Sequence, residues 1–383
     1  MRIGRPSAAL PIANYIKDRP LFTTVLSTVI VLGILIFVHE LGHFLIAKWS
    51  GVTVLRFSLG FGPVIYKVKR GETEYCLSAL PLGGYVKMLG EDMDEELPEQ
   101  DMDKSFQNQP VIKRIGIVLA GPLSNLLLAI VIFTLIYAVS GIPELTSQIG
   151  KVNPDSPAAQ VGIQEGDKVL SINGKPVSNW DELSQTIKDQ GEQPLVLQIQ
   201  RDGSIRTVEV KPEVQEIKNI FGETIKRPVI GITASGEFSI KEVDPFGAVY
   251  YSLVQTWNLT KLFFLTIVKL IERVIPLETL GGPILIAQMA GQEAREGLLN
   301  LVYFTALISV NLAVLNLLPI PMLDGGHLFF FVAEAVLGRP IGKKKIEMAQ
   351  KIGLLFLLLL MIFVFYNDIM RLIPGHNPNP LAP

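Results

Sequence analysis

The chain has 383 residues, 49% of them hydrophobic, with a formal net charge of −2 and a mean hydropathy of +0.39. A soluble protein of this length would hold two or three domains, but the apolar content is too high for a soluble chain alone. The near-neutral balance leaves no basic excess for nucleic acid, and the single cysteine, Cys76, excludes an intramolecular disulfide and reads as a small packing residue.

In chain order, Arg2, Arg5, Lys17 and Arg19 precede an apolar run, as in a signal peptide. No small-residue cleavage site follows and the run continues into His39 and Glu40. A retained first membrane helix is therefore expected over 21–47, after an extension of residues 1–20. In the loop 48–110, Glu74-Tyr-Cys-Leu-Ser78 alternates like a strand, and the glycines of Arg56–Pro63 and of Pro81-Leu-Gly-Gly-Tyr-Val-Lys87 suit tight turns or close backbone approach. A β-structure dipping towards the bilayer could offer an edge strand to an extended partner; a plain hairpin on the membrane surface is the other reading. Glu91–Asp103, with eight acidic residues, reads as a solvated loop.

Residues 115–143 form a second run without charge or histidine, so a membrane helix is expected over 111–143. Between 145 and 238 the character changes to short Val/Ile-rich strands separated by turns. One helix is expected at Trp180–Lys188, capped by Ser178 or Asn179. This is a small soluble α/β module. Residues 246–260 and 262–268 are apolar but split by Lys261 and followed by Lys269, Glu272 and Arg273. The region 239–296 is expected to hold amphipathic helices on the membrane surface, with a fifth span as the alternative. A third charge-free run, 297–323, ends at Asp324 and opens a third membrane region over 297–337. A basic loop follows over 338–351. A fourth run, 352–367, predicts a last membrane helix over 352–373, with Lys351 and Asp368 reaching to the interfaces. Residues 374–383 form a tail. The first three runs approach or exceed the roughly 20 residues a crossing requires; the fourth is shorter and qualifies through its flanking charges.

Four crossings put both termini and the soluble module on one side. Arg339, Lys343, Lys344, Lys345 and Lys351 in the short loop, and Arg56, Lys67, Lys69, Arg70 and Lys87 in the long one, place those loops in the cytoplasm. The basic N-terminus argues the other way.

The sharpest feature is His39-Glu40-Leu41-Gly42-His43. Histidines at i and i+4 share one helix face and can ligate one Zn²⁺. Glu40 beside them can take a proton from a water that the zinc acidifies and deliver it to a leaving amine. Titratable groups at membrane depth are costly unless they face a polar cavity. A catalytic zinc takes a third protein ligand. Asp324, in Asn316-Leu-Leu-Pro-Ile-Pro-Met-Leu-Asp-Gly-Gly-His327, fits, with His327 the competitor. Pro319 and Pro321 should break the helix before Asp324, and broken backbone at that depth lines a cavity or protein-filled site. Asn311 and Asn316 add amides to such a cleft, where an unwound substrate could lie; a structural kink with interhelical hydrogen bonds would use the same residues.

Taken together, HELGH at 39–43, SLGFGP at 58–63, PLGGYVKM at 81–88, AGPLSN at 120–125 and SVNLAVLNLLPIPMLDGGH at 309–327 resemble the site-2 protease family, in particular its bacterial RseP-type regulator proteases. The resemblance spans nearly the whole chain from about residue 21. It implies His39, His43 and Asp324 as zinc ligands, Glu40 as catalytic base, and Asn311, Asn316, Pro319 and Pro321 as substrate-handling residues. It implies that Gly83 and Gly84 lie in a membrane-reentrant β-loop. The soluble module resembles a permuted bacterial PDZ domain, with Val229-Ile-Gly-Ile232 (Val229, Ile230, Gly231, Ile232) as its peptide-binding loop; such a module captures peptide C-termini or only screens substrate size. Some RseP-type proteins carry two such domains, and this chain has room for one. The implied fold is a polytopic α-helical membrane protein of about four transmembrane helices, with a membrane-associated β-hairpin and one inserted extracytoplasmic PDZ domain. The implied function is intramembrane proteolysis of single-span proteins, such as anti-sigma factors or signal-peptide remnants, in the bacterial inner membrane, with the active site towards the cytoplasm. A PDZ-bearing scaffold or sensor with a vestigial zinc site is the alternative, and a metal transporter would need more than the one cluster seen.

Overall fold

The computed structural model describes residues 20–91 and 97–373. The basic N-terminal extension, the centre of the acidic loop and the C-terminal tail lie outside the described residues. The chain divides into two compact units. One comprises the described residues up to Leu135, Val249–Val268, and those from Pro276 onward; the other comprises Ile136–Ala248 and Lys269–Ile275.

In the first unit, helix α1 (Pro20–Trp49) begins at a proline, which the first helical turn tolerates because its N–H would have no partner there. Its buried residues include Thr23, Ser27, Val31, Leu35, His43 and Ala47. A step of four residues keeps side chains on one face, so the packed stripe runs straight through the two histidines. The hydroxyl of Ser27 donates to the carbonyl of Thr23 at 2.7 Å, which lets a polar side chain sit inside the stripe.

Strands β1 (Val54–Arg70) and β2 (Thr73–Met88) pair with each other, and the register folds back on itself. Phe57 lies opposite both Tyr75 and Val86, Ser58 opposite both Cys76 and Tyr85, and Leu59 opposite both Leu77 and Gly84. The first part of β1 is therefore central, and Gly84–Met88 is an edge. Phe61, Val64, Ile65, Tyr66, Leu77 and Leu80 are exposed. So large an apolar patch is unusual on a surface facing water. Helix α2 (Val111–Ser140) carries Pro122 in its interior.

The second unit is built from β3 (Ile142–Leu145), β4 (Ile149–Val152), α3 (Pro157–Gln160), β5 (Lys168–Ile172), β6 (Lys175–Pro176), α4 (Trp180–Gln190), β7 (Leu195–Arg201), β8 (Ser204–Val210), β9 (Glu213–Lys218), β10 (Thr224–Val229), β11 (Ile232–Ala234) and β12 (Phe238–Lys241). Four strands form one antiparallel sheet in the order β6-β5-β7-β8, and β9 with β10, β4 with β11, and β3 with β12 form separate pairs. Alternation along β7 buries Leu195, Leu197 and Ile199 against Leu183 and Ile187 of α4. Asn179 caps α4, its side-chain oxygen accepting the Glu182 N–H at 2.9 Å. The β3–β12 pair extends the unit beyond the residues 145–238 expected of it.

Asp167 is fully buried in this unit and forms a two-pronged pair with Arg201, Nε to Oδ1 at 2.6 Å and Nη2 to Oδ2 at 2.7 Å. Burial alone would raise the Asp167 carboxyl; the Arg201 hydrogen bonds and the Gln164 N–H outweigh it and hold the carboxyl below its ordinary value. Replacing Asp167 by alanine is expected to destabilise this unit by about 1–3 kcal/mol, because it removes the buried acceptor of the Gln164 N–H and of two Arg201 hydrogen bonds. A carboxyl depressed by folding stabilises the unit above its unfolded pKa, and that contribution is lost as pH falls through the folded one. In the wild type, hydrogen exchange of β5 and β7 in the intact protein should rise only in acid below the ordinary aspartate range. In Asp167→Ala it should be fast already at neutral pH.

Helix α5 (Pro245–Ile271) is continuous. Lys261 does not break it but sits 5.9 Å from the Trp257 ring. Helix α6 (Pro283–Glu296) packs along α1, where a Cβ on Gly291 would strike Thr24. Its N-terminus is capped by Asp368, whose carboxylate accepts the N–H groups of Gly282 and Ile284 at 2.9 Å and of Leu285 at 3.2 Å. Asp368 is thus buried, at 2% exposure, rather than reaching to an interface as expected. The donors at a helix start satisfy a carboxylate better than a lipid boundary does.

Helix α7 (Leu298–Asn316) ends before the two prolines, and α8 (Asp324–Leu337) starts at the aspartate. The last helix, α9 (Lys343–Leu372), begins inside the expected basic loop and takes in Lys343–Lys345. Among the described residues α1, α2, α7 and α9 are long and apolar enough to cross a membrane; α5 is not among them.

Candidate metal centre

Two helices converge in the first unit. His39 and His43 project from α1, and Asp324 stands at the first residue of α8. His39 Nε2 lies 3.2 Å from His43 Nε2, and Asp324 Oδ2 lies 3.2 Å from the first and 3.5 Å from the second. A tetrahedral zinc with bonds of about 2.0–2.1 Å spaces its ligand atoms by roughly 3.3 Å. The three distances match that spacing, and the donor set of two imidazole nitrogens and one carboxylate oxygen is one zinc accepts. The residues present therefore fit the ion. His327, three residues on, is not in the cluster.

Helix α2 closes the back of this centre. His43 Nδ1 donates to the carbonyl of Ile117 at 2.8 Å, which leaves Nε2 free to face the other two ligand atoms. Gly121 lies directly against both rings: a Cβ there would strike His43 Nε2 and His39 Cε1. Gly42 in turn faces Ala120 and Ser124, where a Cβ would clash with the Ala120 backbone. The AGPLSN segment is thus the surface on which the histidine helix seats. Sequence reading singled that segment out only as a family motif, because spacing within α2 carries no record of what packs against it.

The centre opens into a cavity of about 1300 Å³, lined by His39, Glu40, His43, Gly84, Asp324 and His327, among others, and reaching Arg114, Glu334 and Lys343. Arg114 and Glu334 form a two-pronged pair at 2.6 and 3.2 Å along this wall. Glu40 sits beside Gly84, where a Cβ would come within 2.9 Å of the glutamate Cγ. The edge strand thus runs past the candidate base. Gly83 packs under the Phe61 ring, which itself stacks on Tyr85 with centroids 6.2 Å apart.

The other expected residues are placed differently. Asn311 lies within α7 and Asn316 at its end; Pro319 and Pro321 occupy the non-helical stretch between α7 and α8. None of the four is among the residues lining the cavity. Met322 in the same stretch does line it, is exposed, and holds a φ of +88°, a left-handed conformation that strains a non-glycine residue. Gly325 and Gly326 pack against the carbonyls of Leu318 and Ile320, leaving no room for a Cβ.

In the second unit, Val229 ends β10, Ile230 is buried, and Gly231 turns at φ +81° into Ile232 at the start of β11. These four residues line a groove of about 370 Å³ together with Leu183 and Ile187.

The sequence pattern of peptidase family M50 matches residues 27–360. The zinc metalloprotease RasP of Geobacillus kaustophilus is 33% identical, over 91% of this chain and 98% of its own. The regulator of sigma-W protease RasP of Bacillus subtilis is 31% identical, over 91% of this chain and 99% of its own. Among solved structures, the PDZ domain of the SdrC-like protein of Listeria monocytogenes is 21% identical, over 25% of this chain and 87% of that one, with a TM-score of 0.19.

Proposed function

Because the chain belongs to peptidase family M50 and is a zinc metalloprotease of the site-2 type, we propose that it cuts single-span membrane proteins at the centre formed by His39, His43 and Asp324. The observation that carries this reading is the triangle of two imidazole nitrogens and one carboxylate oxygen at 3.2–3.5 Å. In it, His39, His43 and Asp324 are the metal ligands and Glu40 is the general base. When bound, zinc supplies Lewis-acid activation of water and of the peptide carbonyl. The Glu40 carboxylate takes the proton of the attacking water and returns it to the leaving nitrogen.

A helical substrate satisfies its own backbone and hides its peptide bonds, so it must unwind first. The edge at Gly84–Val86, paired on one side with β1, offers backbone partners to an extended segment beside Glu40. Asn311, Asn316, Pro319 and Pro321 are the substrate-handling residues of this reading, the two prolines keeping the stretch between α7 and α8 out of helix. Candidate substrates are anti-sigma factors and signal-peptide remnants. A relative named for sigma-W regulation favours the first. Removing the metal with a membrane-permeant chelator is expected to stop cleavage of a purified single-span substrate, and Zn²⁺ to restore it. Cleavage that persists in fully stripped protein would refute the reading.

We further propose that the second unit is a PDZ domain outside the cytoplasm, which captures peptide ends in the Val229–Ile232 groove or screens substrates by size. The enzyme resides in the inner membrane with its active site towards the cytoplasm. Helix α5 lies along the membrane surface. Phe246, Tyr250, Leu253, Trp257 and Phe264 are exposed on one of its faces, and aromatic side chains favour that boundary. Lys269 near its end, itself part of the second unit, pairs with Glu223 at 2.9 Å. A reporter fused after α9 should be active only outside the cytoplasm; cytoplasmic activity would reverse the orientation.

A further inference from the structure

We infer that Asn125 is a positioning residue for the metal centre, holding His39 in the tautomer that can bind zinc. The inference rests on the metal reading above. Asn125 is fully buried, and its side-chain nitrogen lies 3.4 Å from His39 Nδ1. His39 Nε2 faces His43 and Asp324. For Nε2 to bind a metal, Nδ1 must carry the ring proton and give it to an acceptor.

With its nitrogen towards His39, Asn125 would set two donors face to face, and its oxygen Oδ1 is buried with no partner. A half-turn of the amide exchanges its ends without changing its shape. The orphaned oxygen then accepts the Nδ1 proton, and the amide nitrogen takes the oxygen's former place. His43 is served in the same way, by the Ile117 carbonyl. Helix α2 therefore presents two acceptors, one per histidine, two turns apart.

The position of Asn125 is itself fixed. Its backbone carbonyl accepts the Ser309 hydroxyl of α7 at 2.7 Å, a bond buried at both ends. The residue is thus held by the element that leads to Asp324 while it orients a ligand on α1.

The test is zinc affinity of the purified intact protein, read by competition with a chromogenic chelator and independent of proteolysis. Asn125→Leu keeps the shape and removes the acceptor; it should weaken zinc binding by about 10–100-fold. Asn125→Asp keeps an acceptor oxygen and should hold zinc at least as well as wild type. Wild-type affinity in Asn125→Leu, or equal losses in both variants, would overturn the inference. His39→Ala serves as the control. If it binds zinc as wild type does, the metal reading falls and this inference falls with it. If it is depleted while Asn125→Leu is not, only the role of Asn125 is rejected.

Discussion

Glu40→Gln is expected to lower the cleavage rate of a purified single-span substrate by about 10²–10⁴-fold, the range a positioned general base contributes. The substitution keeps the shape and the hydrogen-bonding reach of the side chain but removes its capacity to take a proton at neutral pH. Glu40 lies on α1 between the two histidines and lines the cavity at Gly84, so no neighbour has to move. Zinc content by elemental analysis should stay at the wild-type level, because Glu40 is not part of the three-residue cluster. Substrate should still bind and co-purify with the variant. Undiminished cleavage would remove Glu40 from the chemistry, and loss of zinc would show that the variant fails for another reason.

Asp324→Ala should act on the metal itself. In the proposed centre the residue supplies the one carboxylate atom of the triangle, and it comes from a different helix than the histidines. Orienting residues around zinc sites already cost 10–100-fold in affinity when removed; losing a ligand should cost more. The expected result is no stoichiometric zinc after purification and cleavage at background. Stability offers a second readout. A ligand that binds only the folded state at 100 times its dissociation constant adds about 2.7 kcal/mol, so added zinc should raise the melting temperature of the wild type and leave Asp324→Ala unmoved. A zinc-dependent shift of equal size in both would exclude Asp324 from the site.

The sequence is most legible where chemistry and periodicity coincide. The His39–His43 spacing is helical, and it lies on the same four-residue stripe as Val31 and Leu35, so helix, buried face and candidate ligands could be read from one pattern. The helix break before Asp324 followed from Pro319 and Pro321, whose backbone constraints are local. What stayed hidden depends on contacts between elements. Gly121 and Asn125 carry no local mark of their partners across α2 and α1. Asp368 looked like a boundary residue because its own helix says nothing about the start of α6. The folded-back register of β1 and β2 arises from bulges that alternation alone does not specify. Lys261 suggested an interruption of α5, yet a lysine stem packs along a helix surface and keeps its charge at the edge.

The centre draws its first two residues from positions 39 and 43 and its third from position 324. A ribosome emits these in order, so α1 is complete long before α8 exists. Until then the nascent chain holds two of the three candidate ligands. The candidate centre can therefore form only once α8 has docked against α1, however early the histidines are made.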